Sequence, residues 1–582
     1  MVSTSDQEVI ALCEEVWKWR LHESPEMATF CGFYLQEDSW DDISNEAYSR
    51  REKSVRRFLD KAHTLNVASC SRDVALSYKL LVEDMTMYLK GCSYPCHLLP
   101  INYLEGAHVE CFRTISFMKF DSEADFINYI QRLKSLPLKI HQTVELLKQG
   151  TKEGVAMFPS SMQKIPQQIQ SILEPSSLDE SGFLKPFRKD HPGIPPEKLR
   201  HFQQEAKDAI LSGIFPALAN LKDYLQQEYS KALRPQESIC SLKNGQAWYQ
   251  QCLDYHLSCK MTPQEVHDIG LAEVARIRGR ILHLAGKECL GQTCGEIYES
   301  LNQRGRGFFK SKAEVLAYVK DLCSNKIRPK LSSLFKGLPD VSLKIEEVPD
   351  EMKESPPGYY FNGTADGSRP GCFYVNTHYC EKRLAFDFPA LCLHEAEPGH
   401  HLQDVYLLAA SHLPDFRRYF ENGKYYMMPR KFASNSAYYE GWGLYSESLG
   451  EELDLYTSNL EWLGRYGDEI FRACRLVVDT GLHAFGWSKA RALQYMLDNC
   501  LKSEELVSFE IDRYINWPGQ ACAYKIGEMK IWELRRKAEK ELGVQFDIRE
   551  FHHCILSCER QRNLIEEHKS ERNCLRTIMT SS

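Results

Sequence analysis

The chain has 582 residues, of which 43% are hydrophobic and 26% are charged. These are values of an ordinary globular protein, and they argue against a largely disordered chain, a collagen-like repeat or a disulfide-rich miniprotein. Lys and Arg together number 72 and Asp and Glu 80, which gives a formal net charge of −8. This mild acidity gives no electrostatic reason to expect a nucleic acid or an anionic membrane as a partner.

Neither the cysteines nor the N-terminal residues indicate export. The 21 cysteines are scattered and contain no C-x-x-C pair, so we expect most of them to be reduced and buried. Residues 1–15 carry acids where a signal peptide needs basic and then apolar residues. No apolar run approaches the ~18 residues of a membrane-spanning helix. We therefore expect a cytoplasmic protein, and the sequence does not indicate its oligomeric state.

The first half of the chain reads as helical. Apolar residues recur every three or four positions from Val9 to Trp17, which is the pattern of one buried helix face. A stretch rich in proline interrupts this pattern, because proline does not fit a regular helix interior. The predicted regions are an N-terminal helical region at 1–174, a Pro-rich connector at 175–199 and a second helical region at 200–340.

The pattern changes near Val341. Residues 341–348 and 371–377 have the alternating, β-branched and aromatic character of strands. Residues 356–370 are rich in turn formers. Helical patterns then resume from Phe388. The sequence thus predicts a mainly α protein with a small sheet, in which a catalytic region spans 341–570 and a tail spans 571–582.

The most unusual residues directly follow these predicted strands. Three histidines and two glutamates lie within eight positions, from His394 to His401. Imidazole and carboxylate groups are the usual ligands of Zn²⁺, and a glutamate beside the first histidine is the usual general base for water activated by the metal.

The spacing differs from the usual helical H-E-x-x-H arrangement, in which the two histidines are four residues apart. On an unbroken helix His400 would be rotated by about 120° from His394, and His401 would lie ~10.5 Å along the axis. Pro398 and Gly399 permit a break that swings His400 back towards His394. The spacing by itself therefore neither establishes nor excludes a metal site.

A third ligand is expected at a distance along the chain. Glu440 follows His394 by 46 residues, and Gly441 and Gly443 beside it allow another backbone to come close. Glu447, seven residues on, can support the same helix face. The plainer interpretation is that Glu440 is a solvated helix carboxylate, as most glutamates are.

Five ordered blocks decide between these interpretations, because together they resemble the domain of unknown function 885 family, which is grouped with the gluzincin-type zinc metallopeptidases. The blocks resemble that family over essentially the full length, and an N-terminal stretch at 24–32 also fits its pattern. They are Asp366–Thr377, His394–Gln403, Glu440–Tyr445, Val478–Trp487 and Arg513–Gly527.

The resemblance implies a mostly helical, clam-like fold with a small sheet over a deep cleft. Carried over to this sequence, it implies that His394, His400 and Glu440 ligate one zinc ion. It also implies that Glu395 activates water and that His401 is a neighbour of the site.

The resemblance also implies roles for residues that follow in the chain. A histidine and a tyrosine stabilise the developing oxyanion in related peptidases, and His483 and Tyr524 occupy the similar blocks, with Tyr514 as a substitute. For each of these the alternative is an ordinary packing residue. Asn376, Arg513 and Tyr514 are candidates to bind substrate. Asn376, on the second predicted strand, would act through strand pairing, and Arg513 through a bidentate bond to a carboxylate. For Arg513 a surface salt bridge is the preferred alternative.

Three hypotheses of function follow. The first is a zinc-dependent metallopeptidase that cleaves oligopeptides in a deep cleft with Glu395 as general base. The second is a zinc-dependent hydrolase of a non-peptide amide metabolite. The third is a non-catalytic protein that keeps the fold. The expected partner is a peptide or small amide substrate.

Overall fold

The structure is a computed structural model of the chain. It describes residues 4–305, 307–349, 356–419, 423–432 and 435–557. The predicted tail at 571–582 and the end of the predicted catalytic region lie outside the described residues. Within the described part every cysteine is a free thiol. In the same part, no helix combines the length and the apolar character needed to cross a membrane.

The predicted mainly α class is confirmed. Fourteen helices precede the sheet, and the amphipathic stretch from Val9 lies in the first of them. They are α1 (Thr4–Glu23), α2 (Pro25–Cys31), α3 (Asn45–His63), α4 (Arg72–Gly91), α5 (Ala107–Phe117), α6 (Glu123–Glu153), α7 (Pro159–Met162), α8 (Ile165–Leu173), α9 (Pro196–Ala209), α10 (Phe215–Gln227), α11 (Gly245–Leu257), α12 (Pro263–Lys287), α13 (Cys294–Gly305) and α14 (Lys312–Asp321).

The sheet and nine further helices form the rest of the described chain. The strands are β1 (Lys344–Glu347), β2 (Gly358–Phe361) and β3 (Cys372–Val375). The helices are α15 (Phe388–Glu395), α16 (His400–Ala409), α17 (Asp415–Arg418), α18 (Ser436–Leu449), α19 (Asn459–His483), α20 (Lys489–Asn499), α21 (Glu504–Asn516), α22 (Ala523–Leu542) and α23 (Ile548–Ser557).

The sheet contains one strand more than the sequence predicts. β1 and β3 confirm the two predicted strands in shorter form, whereas β2 lies in the stretch interpreted as turns. The strand order is β1-β3-β2, with β3 parallel to β1 and antiparallel to β2. The turn formers flank only four strand residues, Gly358–Phe361, whose aromatic side chains suit a pleated surface. Because β3 is the central strand, both its edges are already paired, and it is not free to pair with a substrate.

One large apolar core joins the three regions predicted from the sequence. It contains Leu133 from the first helical region, Ile277 from the second and Ile470 from the region of the candidate site. The two longest helices of the latter regions, α12 and α19, pack side by side. Gly270 of α12 makes this possible, because a Cβ there would lie 2.7 Å from side-chain atoms of Leu476 and Val477.

A second apolar cluster holds together the elements that carry the candidate site. It contains Phe373 of β3, Leu393 of α15, Trp442 of α18 and Leu534 of α22. Helices α18 and α22 approach so closely that a Cβ on Gly527 would lie 1.9 Å from the carbonyl oxygen of Ala437. The glycine is therefore a packing requirement of this pair of helices.

We expect Gly527→Ala to lower the free energy of unfolding by about 1–3 kcal/mol or more, because the added methyl group meets backbone that has little room to move. Gly279→Ala in α12 is the matched control, since a Cβ there has no neighbour within 4 Å. That change should be neutral or stabilise the helix by about 0.5–1 kcal/mol. Thermal and denaturant unfolding of the two variants measures the difference, and equal stability would contradict this account of the α18–α22 contact.

Candidate metal centre

A sharp break in the chain separates α15 from α16. The backbone leaves helical geometry at Ala396 (φ −95°, ψ −112°) and re-enters it after Gly399 (φ −72°, ψ −133°). The chain folds back onto the end of α15, where a Cβ on Gly399 would lie 1.9 Å from the carbonyl oxygen of His394. The indole of Trp442 donates a hydrogen bond of 2.8 Å to the carbonyl of Pro398 and so holds the break in place.

This break brings His400 next to His394, and α18 adds Glu440. The Nε2 atoms of the two histidines lie 3.6 Å (His394) and 3.5 Å (His400) from Oε2 of Glu440. One ligand atom from each of the three residues lies within 4.8 Å of the other two. The structure thus assembles the three residues that the family resemblance implies as ligands.

The spacing of these atoms suits a metal better than direct hydrogen bonds. N–H···O bonds have heavy-atom distances of about 2.7–3.2 Å, so separations of 3.5 and 3.6 Å are too long for good ones. Two ligands bound to zinc at ~2.0–2.2 Å in a tetrahedral arrangement lie about 3.3–3.6 Å apart. Two imidazole nitrogens and one carboxylate oxygen are also a ligand set that zinc commonly takes. The residues present therefore fit a zinc ion.

The ring of His394 is held on both sides. Its Nδ1–H donates a hydrogen bond of 2.8 Å to Oε1 of Glu447, which leaves Nε2 as the atom that faces Glu440. A carboxylate behind a metal-binding histidine fixes the tautomer and the orientation of the ring. On the other side Gly443 makes room, since a Cβ there would lie 2.7 Å from Nε2.

The charges of the cluster are strongly coupled. Burial lowers the pKa of His394, but the carboxylates of Glu440 and Glu447 outweigh that effect and raise this pKa to about 10. Burial likewise raises the pKa of Glu440, and the two histidines outweigh it, so that the pKa of this carboxyl falls well below its usual range. The cluster therefore favours a positive charge at the point where the three side chains meet.

His400 is oriented by stacking. Its ring lies flat against Tyr439, with centroids 4.0 Å apart and an interplanar angle of 5°. Its Nδ1 has no hydrogen-bond partner among the described residues. His401 follows it but faces another environment: its Nδ1 lies 3.2 Å from Oη of Tyr360, and its Nε2–H donates to the carbonyl of Val341. Of the two adjacent histidines, the structure brings only His400 to the cluster.

Glu395 and Tyr524 lie beside the three ligand candidates. Glu395 is the last residue of α15 and is half-buried, and its carboxylate makes no hydrogen bond or ion pair within the described part of the chain. The ring of Tyr524 lies 6.4 Å from that of His394. Burial and the charge of Glu440 raise the pKa of Tyr524, so its O–H remains a hydrogen-bond donor at neutral pH.

These residues line a cavity of about 2780 Å³. His394, Glu395, His400 and Glu440 form part of its wall, together with both edge strands of the sheet. Tyr524 and Arg513 line the same cavity. Its volume exceeds the roughly 300–1,000 Å³ of a typical small-molecule site, so an extended oligomer has room in it.

Three predicted site residues are not brought to this cavity. His483 is buried, with its Nδ1 accepting from the amide of Ile239 and its Nε2–H donating to the carbonyl of Tyr514. Both ring nitrogens are occupied, and burial lowers the pKa of His483 to about 4. This is the backbone-bonded packing histidine of the alternative interpretation, and we assign it no catalytic role.

Tyr514 and Asn376 differ from expectation for similar reasons. Tyr514 is buried, and its oxygen accepts a hydrogen bond of 3.0 Å from Nε of Arg475, so it supports that residue from behind the cavity wall. Asn376 is also buried: its side-chain Oδ1 accepts from the backbone N–H of His378, and its own backbone N–H donates to the carbonyl of Pro357. It follows the central strand of the sheet and does not line the cavity.

The sequence patterns do not identify two residues that contribute to this site. Trp442 closes the break before α16, and Arg475 lines the cavity wall beside Tyr524. Trp442 lies within the Glu440–Tyr445 block, but only the fold brings its indole to Pro398. The signal for Arg475 is its place among apolar residues on α19, since an arginine is rarely buried without a specific partner.

Comparison with known proteins places the chain in a family. A family model described as a bacterial protein of unknown function, DUF885, matches residues 25–558. The chain belongs to the DUF885 family. The match includes every residue of the candidate metal centre, and the family description assigns no activity to them. No curated protein matches this DUF885 chain.

Two solved structures share the fold. One is a candidate lipoprotein from Colwellia psychrerythraea, with a TM-score of 0.90, 23% identity and coverage of 99% of this chain and 100% of the other. The second is a candidate lipoprotein of unknown function from Shewanella oneidensis, with a TM-score of 0.67, 16% identity and the same coverage. At these identities the likeness concerns the fold of the DUF885 chain alone.

The position of Gly443 yields a test of this geometry. A methyl group at 443 would overlap the His394 ring, so we expect Gly443→Ala to displace Nε2 and to weaken the binding of a divalent cation at least tenfold. Gly286→Ala is the control, because a Cβ there meets nothing within 4 Å. Calorimetric titration of the metal-free variants with zinc measures the affinity, and circular dichroism checks folding. Unchanged affinity in a folded Gly443→Ala variant would contradict the described position of His394.

Proposed function

We propose that this protein is a zinc-dependent metallopeptidase, related to the gluzincin type, that hydrolyses oligopeptides inside its cavity. The observation that carries the proposal is the meeting of three donor atoms, from His394, His400 and Glu440, in the wall of a large cavity and beside the uncommitted carboxylate of Glu395. This is the arrangement in which a metal and a base can act on the same water molecule.

Each residue of the cluster has a role in this proposal. His394, His400 and Glu440 would hold the zinc ion, and Glu447 would keep His394 in the required tautomer. Zinc, when bound, supplies Lewis acidity towards water and towards a carbonyl oxygen.

Glu395 carries the proton in the proposed reaction. Its carboxylate takes a proton from water as the water oxygen attacks the carbonyl carbon of the peptide bond. The C–N bond then breaks, and Glu395 returns the proton to the leaving nitrogen, so the products are an amine and a carboxylic acid, which passes its proton to the amine or to water. The half-buried position of Glu395 and its lack of partners within the described residues leave it free for both transfers.

Tyr524 supplies the hydrogen bond that the reaction needs as negative charge develops on the carbonyl oxygen. Its pKa is raised by burial, so the O–H group stays protonated and can donate. Its ring is close to that of His394, with centroids 6.4 Å apart. We assign this role to Tyr524 alone, because His483 is buried away from the cavity.

The cavity supports oligopeptides as the substrate class. Its volume of about 2780 Å³ accommodates several residues of an extended chain. The same metal chemistry also hydrolyses other amides, so a non-peptide amide remains the main alternative. A non-catalytic protein is the third alternative, and the tests below separate the three.

Metal content is the first test. We expect about one zinc per chain in protein purified without added metal, loss of it in His400→Ala, and its retention in His401→Ala, because of these two adjacent histidines only His400 faces Glu440. Elemental analysis of the three proteins measures the content, and circular dichroism verifies that each is folded. Absence of zinc in the parent protein, with none taken up on addition, would refute the metal site.

The role of Glu395 is the second test. We expect Glu395→Gln to keep its zinc and to lose turnover of an oligopeptide panel by about 10²–10⁴-fold, because an amide does not accept the proton from water. Glu14→Gln is the control, because Glu14 is an exposed residue of α1 that pairs with Lys18 and has no part in the proposed machinery.

Full activity of Glu395→Gln would overturn the proposed mechanism. A zinc-loaded parent protein that leaves every peptide intact but hydrolyses small amide metabolites would favour the alternative hydrolase. A zinc-loaded protein that turns over neither class would favour the non-catalytic protein.

A further inference from the structure

Three arginines line the cavity near Tyr524. Arg472 and Arg475 lie on α19, and Arg513 lies near the end of α21. Cations concentrated on one part of a cavity wall indicate which charge a ligand carries there, provided that the protein does not already neutralise them. Their acidic partners therefore decide whether a charge remains for a ligand.

Arg472 is neutralised by the protein itself. Its Nη1 lies 2.9 Å from Asp468, and its Nη2 lies 3.6 Å from Glu447. Arg475 and Arg513, in contrast, share a single carboxylate. Oε2 of Glu510 lies 2.8 Å from Nη2 of Arg475 and 3.2 Å from Nη2 of Arg513. Two guanidinium groups thus face one carboxylate, which leaves a net positive charge.

The nearby Glu105 does not compensate this charge. Its carboxylate accepts hydrogen bonds from neutral donors, the amides of Tyr425 and Tyr426 and the indole of Trp517. Burial, together with the charge of Glu110, raises the pKa of Glu105 to about 7, so it carries only part of a charge at neutral pH. The excess positive charge of Arg475 and Arg513 therefore remains.

Several nitrogens of the two arginines have no acceptor. Nη1 of Arg475 and Nε of Arg513 are buried and lack a hydrogen-bond partner among the described residues. The protein's own acceptors therefore leave part of the donor capacity of both guanidinium groups unused. The planar guanidinium group matches a carboxylate through two parallel hydrogen bonds.

Aromatic side chains hold both guanidinium groups in position. Cζ of Arg475 lies 4.4 Å from the ring centroid of Tyr524, and its Nε donates to Tyr514. Cζ of Arg513 lies 5.5 Å from the Trp517 ring. Groups held in this way lose little conformational entropy when a ligand binds.

Tyr524 also fixes the distance to the metal centre. Its ring contacts both Arg475 and His394, so the guanidinium lies within roughly 11 Å of the His394 ring. An extended peptide advances ~3.3–3.6 Å per residue. For an extended peptide, this distance corresponds to about three residues between a carboxylate bound by Arg475 and a peptide bond at the metal centre.

We propose that Arg475 and Arg513 form a carboxylate subsite, and that the substrates are peptides with a carboxylate within about three residues of the bond that is cut. This inference rests on the proposed peptidase function. The carboxylate is either the free C-terminus of a short peptide or the side chain of an aspartate or glutamate. Tyr514 acts as a positioning residue that orients Arg475.

Matched peptides test the subsite. We use a pair identical in sequence, one with a free C-terminal carboxylate and one with a C-terminal amide, neither containing Asp or Glu. We expect kcat/KM for the free acid to exceed that for the amide by about 10–100-fold, since a hydrogen-bonded charge pair is lost in the amide. A third peptide, with a C-terminal amide and an aspartate near the cleaved bond, distinguishes a side-chain carboxylate from the C-terminus.

Variants link this preference to the arginines. Arg513→Gln should reduce the ratio of kcat/KM for the free acid to kcat/KM for the amide to nearly one. Arg513→Lys should keep an intermediate preference, because the charge remains but the fork of donors is lost. Lys189→Gln is the control, since Lys189 is an exposed cation that lines the same cavity and has no role in the proposal.

Positioning by Tyr514 has its own readout. Tyr514→Phe should reduce the ratio of kcat/KM for the free acid to kcat/KM for the amide, because Arg475 loses the hydroxyl that orients its Nε. A purely structural effect would lower both values together, and that result would overturn the positioning role.

The outcomes separate the two proposals. Equal cleavage of the acid, amide and aspartate peptides would overturn the carboxylate subsite and leave the peptidase intact. If no peptide is cleaved, calorimetric binding of the same peptides to the Glu395→Gln protein still tests the subsite. Preferential binding of either carboxylate peptide, lost in Glu395→Gln combined with Arg513→Gln, supports it, and equal binding of the three peptides overturns it.

Discussion

The reversal of the chain between α15 and α16 is the constraint on which the rest of the site depends. Two histidines six residues apart cannot bind the same metal ion on a continuous helix, because their side chains lie on different faces. Four residues without helical geometry bring them together, at the cost of backbone groups that need other partners. Trp442 satisfies one of them, the carbonyl of Pro398. Gly399 supplies the space in which the returning chain passes the carbonyl of His394.

Helix α18 serves this reversal in four ways. It carries Glu440, which faces both histidines, and Trp442, which holds the break. It also carries Gly443, which leaves room for the His394 ring, and Glu447, which orients that ring. The position of α18 is fixed in turn by its close contact with α22, the helix that carries Tyr524. The packing of α18 against α22 therefore fixes the position of Glu440 relative to the hydroxyl donor Tyr524.

Buried charges extend from the candidate metal centre into the protein as an alternating series. His394 bonds to Glu447, which lies 3.6 Å from Arg472, and Arg472 lies 2.9 Å from Asp468. The series ends at Lys502, whose Nζ lies 2.8 Å from Oδ1 of Asp468. Buried ions are costly unless they are paired, so each member compensates the next. Arg475 and Arg513 depart from this pattern because they share one carboxylate, which distinguishes that part of the cavity wall electrostatically.

Composition, periodicity and motif by themselves determined the mainly α class, two of the three strands and a cluster of residues with ligand chemistry. These properties depend on local sequence or on residue type, so they can be predicted without the tertiary structure. The residue spacing left His400 and His401 undecided and the family resemblance favoured His400; the tertiary structure gives the physical reason, because the choice depends on how the chain turns at Gly399. It also removed His483, Tyr514 and Asn376 from the cavity wall, since their burial results from contacts with distant segments. β2 and Arg475 were not predicted, and the physical reason is the same for both. A four-residue strand is recognised only through its pairing with β3, and the role of a buried arginine depends on the side chains packed around it.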